Sequence, residues 1–544
     1  MTTAVAGRHY AAPAARTAAD FAGTGRLLRL YLRRDRIVLP LWSLLFGLVP
    51  IMYLSSTKKI YDGKPAELAQ YAKTIQDSPA LHMMYGRLYA TDLPAVALWK
   101  GGPFFTMIAI ATILTVIRHT RVEEDTGRAE LVGATSIGRY AGLTAALILT
   151  GAGCSITGLV CAVTLKSETS GAHALAWGAA LAASGLLWGG VAAVAAQAGS
   201  TARVARGIAF GALAAAFALR AIGDAGNGVL SWFSPVGWCV LMRPMAEIRW
   251  WTLVPLLALA VIAWAGAYSL LRVRDTGSGL IAERPGPATA ASELSGPVGL
   301  AWRLQRGTLL VWAIGFALYG ALMGGIVRSI GDMINKGSTM GDFVTRTGGT
   351  KVLEDAFVTL GMTMLAIGAG AYTISATLRL HDEEASQRVE ATLAGAVSRR
   401  RYVASHVGFA LLASAFLVLL AGTVFGFVYG TAAGDIPGKL SDTLGAALVQ
   451  VPAIWVFTGI AVALYGIAPR FTPVAWGVFS AMLLIFVLGM LNGLPHWTAD
   501  LVPYNHPPKL PGAEFTATPE LWLLAVAAGL IAVGAVAFRR RDLR

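Results

Sequence analysis

Apolar runs of about 20 residues, each long enough to cross the hydrocarbon core of a bilayer, alternate with short polar connectors along almost the whole chain. About twelve such runs can be marked, near residues 37–55, 101–117, 140–164, 174–197, 204–222, 252–271, 307–327, 355–377, 403–429, 443–467, 472–493 and 519–538. The fourth and tenth are rich in Ala and Gly and poor in Leu, and give the weakest signal. The pattern predicts an all-α polytopic membrane protein.

The polar interruptions repeat. Glu123-Glu124-x-x-x-Arg128-x-Glu130, between the second and third runs, reappears as Glu383-Glu384-x-x-x-Arg388-x-Glu390 between the eighth and ninth. Gly133-Ala134-x-Ser136-x-x-Arg139-Tyr140 follows the first copy, and Gly395-Ala396-x-Ser398-x-x-Arg401-Tyr402 follows the second. Further pairs are Arg203 with Arg470, Ser234-Pro235 with Val502-Pro503, Arg274-Asp275 with Arg541-Asp542, and Trp42 with Trp312. Self-similarity of this kind marks a duplicated unit. Six runs per copy give both copies the same orientation, so the expected relation is an axis along the membrane normal with a cavity on it. The expected layout is an N-terminal arm (1–36), a first six-span half (37–274), a Pro/Gly-rich linker (275–299) and a second half (300–544).

Charge then orients the spans. The arm carries Arg26, Arg29, Arg33, Arg34 and Arg36, and the chain ends Arg539-Arg540-Arg541-Asp542-Leu543-Arg544. The positive-inside rule places both termini in the cytoplasm of a plasma-membrane protein. The lysines, among them Lys58, Lys59, Lys166, Lys336 and Lys439, then fall outside. A composition of 56% hydrophobic and 14% charged residues, with mean hydropathy +0.61, excludes an ordinary soluble domain. The net charge of +14 is spread over short membrane-flanking loops, which reads as orientation signals and not as a nucleic-acid surface.

Local patterns fill in the loops. Thr24–Arg34 sets apolar residues against arginines, as an interfacial helix would or as an extension of the first span would; Leu300–Arg306 is its shorter second copy. Ala66–Gln76 in the long outer loop 56–98 predicts a short amphipathic helix. A second long outer loop is expected at 328–354. The aromatic loops after spans five and eleven fit either re-entrant caps or interfacial belts. Arg220 and Asp224 follow only about 13 apolar residues in span five, too few to cross. Their i,i+4 spacing allows an intramembrane pair, in the outer leaflet or a wet cavity, serving either structure or an exit path. The matching positions are Leu488 and Asn492.

No phosphate loop, zinc motif or nucleophile elbow occurs in the sequence, so nothing supports enzymatic chemistry, a metal site or a cofactor in this chain. Cys154, Cys161 and Cys239 form no framework. The repeated connectors therefore hold the interest. A short helix there would place Glu124 over Arg128 and Glu384 over Arg388 at i,i+4.

With its two units, its Glu-Glu-x-x-x-Arg-x-Glu connectors, the Trp-x-Ser-Pro-x-Gly-Trp loop at Trp232–Trp238 and the Arg-Arg-Asp-Leu terminus, the chain resembles the ABC-2-type exporter permeases. Its nearest likeness is to the double-length actinobacterial group of polyketide-antibiotic (tetronasin-type) and multidrug exporters. The resemblance implies two parallel six-helix repeats in a type V exporter-like fold. It also implies a separate ATPase, two copies per permease, that binds ATP and Mg. Glu123, Glu124, Arg128, Glu130, Glu383, Glu384, Arg388 and Glu390 become coupling residues. The permease would move a hydrophobic or amphiphilic compound, such as an antibiotic or drug, out of the cell by alternating access, with membrane lipids around it and Trp42, Phe104, Phe105, Trp312 and Phe357 as candidate cavity walls. The alternatives are a proton-coupled secondary transporter, whose usual Gly-x-x-x-Asp-Arg-x-Gly-Arg-Arg loop is absent between spans two and three, or a lipid-exporting permease of the same type.

Overall fold

The computed structural model describes residues 19–275, 277–281, 288–289, 291–294, 296–334, 349–395, 397–490 and 496–542. Among them no strand occurs, and twelve helices are long and apolar enough to cross a membrane. The chain is an all-α, multi-pass membrane protein. It divides into two compact units, Met1–Gly286 and Pro287–Arg544.

In unit 1 the helices are α1 (Thr24–Arg34), α2 (Val38–Tyr61), α3 (Pro65–Asp77), α4 (Pro79–Tyr85), α5 (Leu93–Trp99), α6 (Phe104–His119), α7 (Arg121–Asp125), α8 (Arg128–Gly133), α9 (Ala141–Leu165), α10 (Gly171–Ala198), α11 (Ala202–Ala225), α12 (Pro235–Leu241) and α13 (Leu253–Val273). Unit 2 holds α14 (Pro297–Ile334), α15 (Gly349–Ala385), α16 (Arg388–Leu393), α17 (Arg399–Ala433), α18 (Ile436–Leu448), α19 (Val451–Ile467), α20 (Val474–Met490), α21 (His496–Ala499) and α22 (Ala517–Arg540).

Tight turns between spans are capped by side chains. Ser170 Oγ accepts from His173 N at 3.3 Å, Thr201 Oγ1 from Val204 N at 3.3 Å, and Ser398 Oγ from Arg401 N at 3.3 Å. Each satisfies an amide that the first helical turn leaves open. The two spans with the weakest apolar signal, fourth and tenth, prove the most enclosed, 72% and 78% buried. Small residues are the reason. A Cβ on Gly158 of α9 would sit 2.6 Å from the Gly178 carbonyl oxygen of α10, and one on Gly178 would sit 2.2 Å from that of Gly158. Among helices the hydrophobic effect cannot separate from lipid, such close backbone approach is what packs.

The two N-terminal helices differ. α1 is a separate amphipathic helix with Leu27 and Tyr31 buried, and the turn after it is held at Asp35. The expected second copy, Leu300–Arg306, is instead continuous with its span inside α14. Asp35 explains the break. Its carboxylate lies 2.7 Å from His119 Nε2 and 2.9 Å from Arg118 at the end of α6. Counted from Trp42 and Trp312, the matching position holds Gln305, a neutral residue that reaches His406 at 3.4 Å.

α3 covers the helix expected at Ala66–Gln76. Both aromatic loops turn back into their units. Ser234 Oγ donates to Ala216 O at 2.6 Å, about 13 Å below the end of α11 at 1.5 Å per residue. Tyr504 donates to Ala366 O at 3.2 Å inside α15. Part of the long loop expected at 328–354, with Lys336, lies outside the described residues, as do Ala396, Asn492 and Leu543–Arg544.

Candidate functional site

The connectors are bent, and the bend resets their ion pairs. Gly127 sits between α7 and α8 with φ +72°, and Gln387 sits between α15 and α16 with φ +58°. Glycine adopts this left-handed conformation freely, whereas glutamine does so at some cost. With the helix interrupted, Arg128 does not lie over Glu124, nor Arg388 over Glu384; the expected i,i+4 pairs do not form. Glu123 meets Arg128 at 3.5 Å and Arg34 of α1 at 2.9 Å. Glu383 meets Arg388 at 2.7 Å and Arg379 at 2.9 Å. The first glutamate of each pair thus spans the bend.

The second glutamate reaches the end of the last span of its unit. Glu124 accepts from Arg274 at 2.8 Å and from Arg121 at 2.9 Å, and Glu384 accepts from Arg541 at 2.6 Å. The repeated Arg-Asp dipeptides after spans six and twelve were visible in the sequence, and so were the repeated glutamates. That they belong to one site was not, because the partners are far apart in the chain.

A further arginine completes each site. Arg139 donates to Arg274 O at 2.6 Å and Leu271 O at 2.9 Å, and Arg399 donates to Arg541 O at 2.5 Å. These are carbonyls that a helix C-terminus leaves open. Motif spacing sets Arg401 opposite Arg139, but Arg399 occupies the capping place, because α17 begins at Arg399 while α9 begins only at Ala141.

Burial sorts the eight connector residues. The side chains of Glu123, Glu124, Glu383 and Glu384 are only 7–14% exposed, against 55% for Arg128 and 60% for Arg388. Glu130 and Glu390 are also exposed. The four inner glutamates hold the connector in place; the outward face consists of Arg128, Glu130 and Leu131 in unit 1, and Arg388, Glu390 and Ala391 in unit 2. Leu131 is 76% exposed. Unit 1 adds ties with no counterpart among the described residues of unit 2. Arg121 donates to Ser278 O at 2.8 Å and Gly277 O at 3.0 Å, and Asp125 accepts from Ala202 N at 2.6 Å; His381 and Ala385 stand at the matching places. A cavity of about 420 Å³ lies between this connector and α1, with Tyr31, His119 and Arg274 on its walls.

Tyr31 stacks on the His119 ring at 4.3 Å. Burial pushes the Asp35 carboxyl up, but the His119 hydrogen bond and the charges of His119, Arg118 and Arg34 outweigh it and leave the group below its usual value of 3.8. The stability it contributes is therefore present above the unfolded value and lost as pH falls through the lower folded one. Asp35→Asn should lower the melting temperature at neutral pH, and the gap to the parent should close on acidification below about pH 4. A gap independent of pH would remove the ionised carboxylate from this account.

Arg220 and Asp224 do pair, at 3.4 Å, with side chains 3% and 1% exposed. No wet cavity is needed. The Arg220 guanidinium donates to the carbonyls of His82, Met83 and Met84 at the end of α4, at 3.4, 2.8 and 3.4 Å. It also lies 4.6 Å from the Phe217 ring centroid. Ser231 donates to Asp224 Oδ1 at 2.6 Å, and Arg87 donates to Asp224 O at 2.9 Å. These contacts pin the segment after α3 to α11. Arg87 and the C-terminus of α4 were the missed partners. The comparison with unit 2 ends at the sequence, since Asn492 and the side chain of Leu488 lie outside the described residues.

Of the candidate cavity residues, Phe105 is 1% exposed with its ring 5.3 Å from that of Trp177, and Trp42 packs on Gly153 of α9. Phe104 is buried near Phe46 and Tyr53. These three are engaged within unit 1. Phe357 is half-buried. Trp312 lines an apolar recess of about 310 Å³ with Phe316 and Tyr319 of α14 and Met364 of α15.

The sequence model of one protein family, the C-terminal domain of the multidrug efflux system permease Rv1217c, matches this chain twice, over residues 27–272 and 294–539. The multidrug efflux system permease protein Rv1217c of Mycobacterium tuberculosis (strain ATCC 25618 / H37Rv) is 51% identical to it over 527 residues, 96% of each chain.

Proposed function

The chain belongs to the multidrug efflux permease family of Rv1217c, and on that premise we propose that it is the transmembrane permease of an ATP-driven exporter of the ABC-2 type. The observation that carries this reading is the permease match over both units, each of which contains a connector tied to the end of its own last span. A separate ATPase, two copies per permease, binds ATP and Mg and docks on the outward connector faces, Arg128, Glu130 and Leu131 in one unit and Arg388 and Glu390 in the other. All four inner glutamates are positioning residues: Glu124 and Glu384 make the connector move with the last span, and Glu123 and Glu383 hold its bend. Both termini face the cytoplasm of the plasma membrane, and the cargo is a hydrophobic or amphiphilic compound moved outward. Trp312, Phe316 and Tyr319 form a wall suited to such a compound.

The purified chain alone should hydrolyse no ATP. Co-expressed with its ATPase, it should retain two copies through purification and support vanadate-sensitive efflux that survives collapse of the proton gradient. Hydrolysis by the isolated chain, or efflux that ends when the gradient is collapsed, would overturn the reading in favour of a self-sufficient or proton-coupled transporter.

A further inference from the structure

Most of the positive charge on α1 has no partner in the protein. Between Asp20 and Asp35 the sequence holds four arginines and no acid. Spacing at i, i+3 and i+7 sets Arg26, Arg29 and Arg33 on one face of the helix, away from the face that buries Leu27 and Tyr31. All three are exposed, and so is Arg36 in the turn that follows. Among the described residues none of these four meets a carboxylate; the neighbouring acid, Asp35, is taken by His119 and Arg118. Arg34 alone is paired, with Glu123 of the connector at 2.9 Å.

Apolar side chains flank the arginines. Leu30 and Leu32, on either side of that face, are 44% and 45% exposed, and Ile37 is 68% exposed. Only three residues separate α1 from α2, a membrane span whose Leu41, Leu44 and Leu45 are also exposed. Exposed leucines this close to the start of a span are suited to acyl chains, and a row of unpaired arginines among them is suited to negatively charged head groups. An acidic protein surface in water would match the arginines but leave the leucines uncovered.

The same helix is joined to the connector of its own unit, through Arg34 and Glu123. Unit 2 is built otherwise. There Glu383 pairs with Arg379 of its own span, and Leu300–Arg306, with only Arg303 and Arg306, continues straight into α14. An event at α1 therefore has a direct path to one connector, that of unit 1.

We propose that the face of α1 carrying Arg26, Arg29 and Arg33 is a docking surface for anionic phospholipid, and that lipid bound there steadies the connector of unit 1 through Arg34 and Glu123. The inference deepens the exporter reading by naming a regulator of one connector, and it takes from that reading only which leaflet supplies the lipid. Lipid binding requires neither ATP nor a partner, so its failure would leave the exporter reading standing, and the ATPase experiment can fail without touching this one.

The test is hydrogen–deuterium exchange on the full-length purified chain, titrated with phosphatidylglycerol or with phosphatidylcholine of the same acyl chains. Phosphatidylglycerol should slow amide exchange in α1, α7 and α8 but not in α16, and phosphatidylcholine should do neither. In the combined variant Arg26→Gln, Arg29→Gln, Arg33→Gln the midpoint should move about a hundredfold to weaker binding at low salt, since each arginine near a lipid surface contributes about a factor of five. Raising the salt to about 0.5 M should weaken binding to the parent as well. Arg34→Gln at saturating lipid should keep the slowing in α1 and lose it in α7 and α8. Melting temperatures near the parent's in phosphatidylcholine qualify each variant as folded, and the lipid and salt comparisons on the parent need no variant. No slowing of α1 by phosphatidylglycerol, or slowing that survives the triple substitution, would overturn the docking surface. Slowing of α7 and α8 that survives Arg34→Gln would overturn the link to the connector. Slowing of α1 that requires the ATPase and not the lipid would assign the arginine face to that partner and overturn the proposal.

Discussion

Glu124→Lys is expected to disable coupling. Arg274 is 1% exposed at this site and Arg121 likewise, so the new lysine would stand among cations in a poorly solvated place. Breaking such a pair by removing one partner costs about 3–5 kcal/mol, and a reversal costs no less. The melting temperature should fall by roughly 6–15 °C, with efflux and cargo-stimulated ATPase activity falling together. Arg274→Glu in the same chain should restore part of both, because opposite charges again face each other. Glu384→Lys with Arg541→Glu is the parallel test in unit 2, with a smaller effect expected because Arg541 is 17% exposed. Leu131→Glu should behave differently. It lies on the outward face and packs against little, so stability should hold while the ATPase no longer co-purifies. If Leu131→Glu keeps full efflux and Glu124→Lys loses none, the connectors are solvated loops and the coupling role is wrong.

The second large effect is at Arg220. Arg220→Leu leaves Asp224 buried without its cation and three α4 carbonyls without their donor, at a cost of about 3–5 kcal/mol. Adding Asp224→Asn removes the stranded charge and should recover about 1–3 kcal/mol of coupling energy in the double-mutant cycle. Recovery should be incomplete, because the carbonyls of His82, Met83 and Met84 remain unanswered. Thermal unfolding of the single and double variants in one detergent reads this directly. Additive losses would show that the two residues do not interact. Since both side chains are enclosed, the double variant should export at the parent's rate per folded molecule; a stable double variant that fails to export would reopen the exit path.

The connector shows why legibility stopped where it did. Many of the residues that matter were visible, namely the repeated Glu-Glu-x-x-x-Arg, the repeated Arg-Asp and Arg139, whereas Arg121, Arg379 and Arg399 carried no repeated signal. Their partners were misassigned by one place, because i,i+4 reasoning assumes an unbroken helix, and one left-handed residue, Gly127 or Gln387, rotates everything after it. For Arg220 the short apolar run correctly marked a charge that needed a partner, and Asp224 was the near one. The carbonyls of α4 and Arg87 belong to a loop whose return path no local pattern specifies.

By itself the sequence determined the class, the twelve spans and the repeated polar stations between them. The bilayer imposes a fixed length of apolar residues on every crossing, and that requirement is written locally in the chain. Only the tertiary structure decided that the fourth and tenth spans are the most enclosed and that a glutamate of each connector is held by the end of the last span. Those outcomes depend on which backbones can approach closely and on which distant charges then meet. Neither is a property of any window of residues.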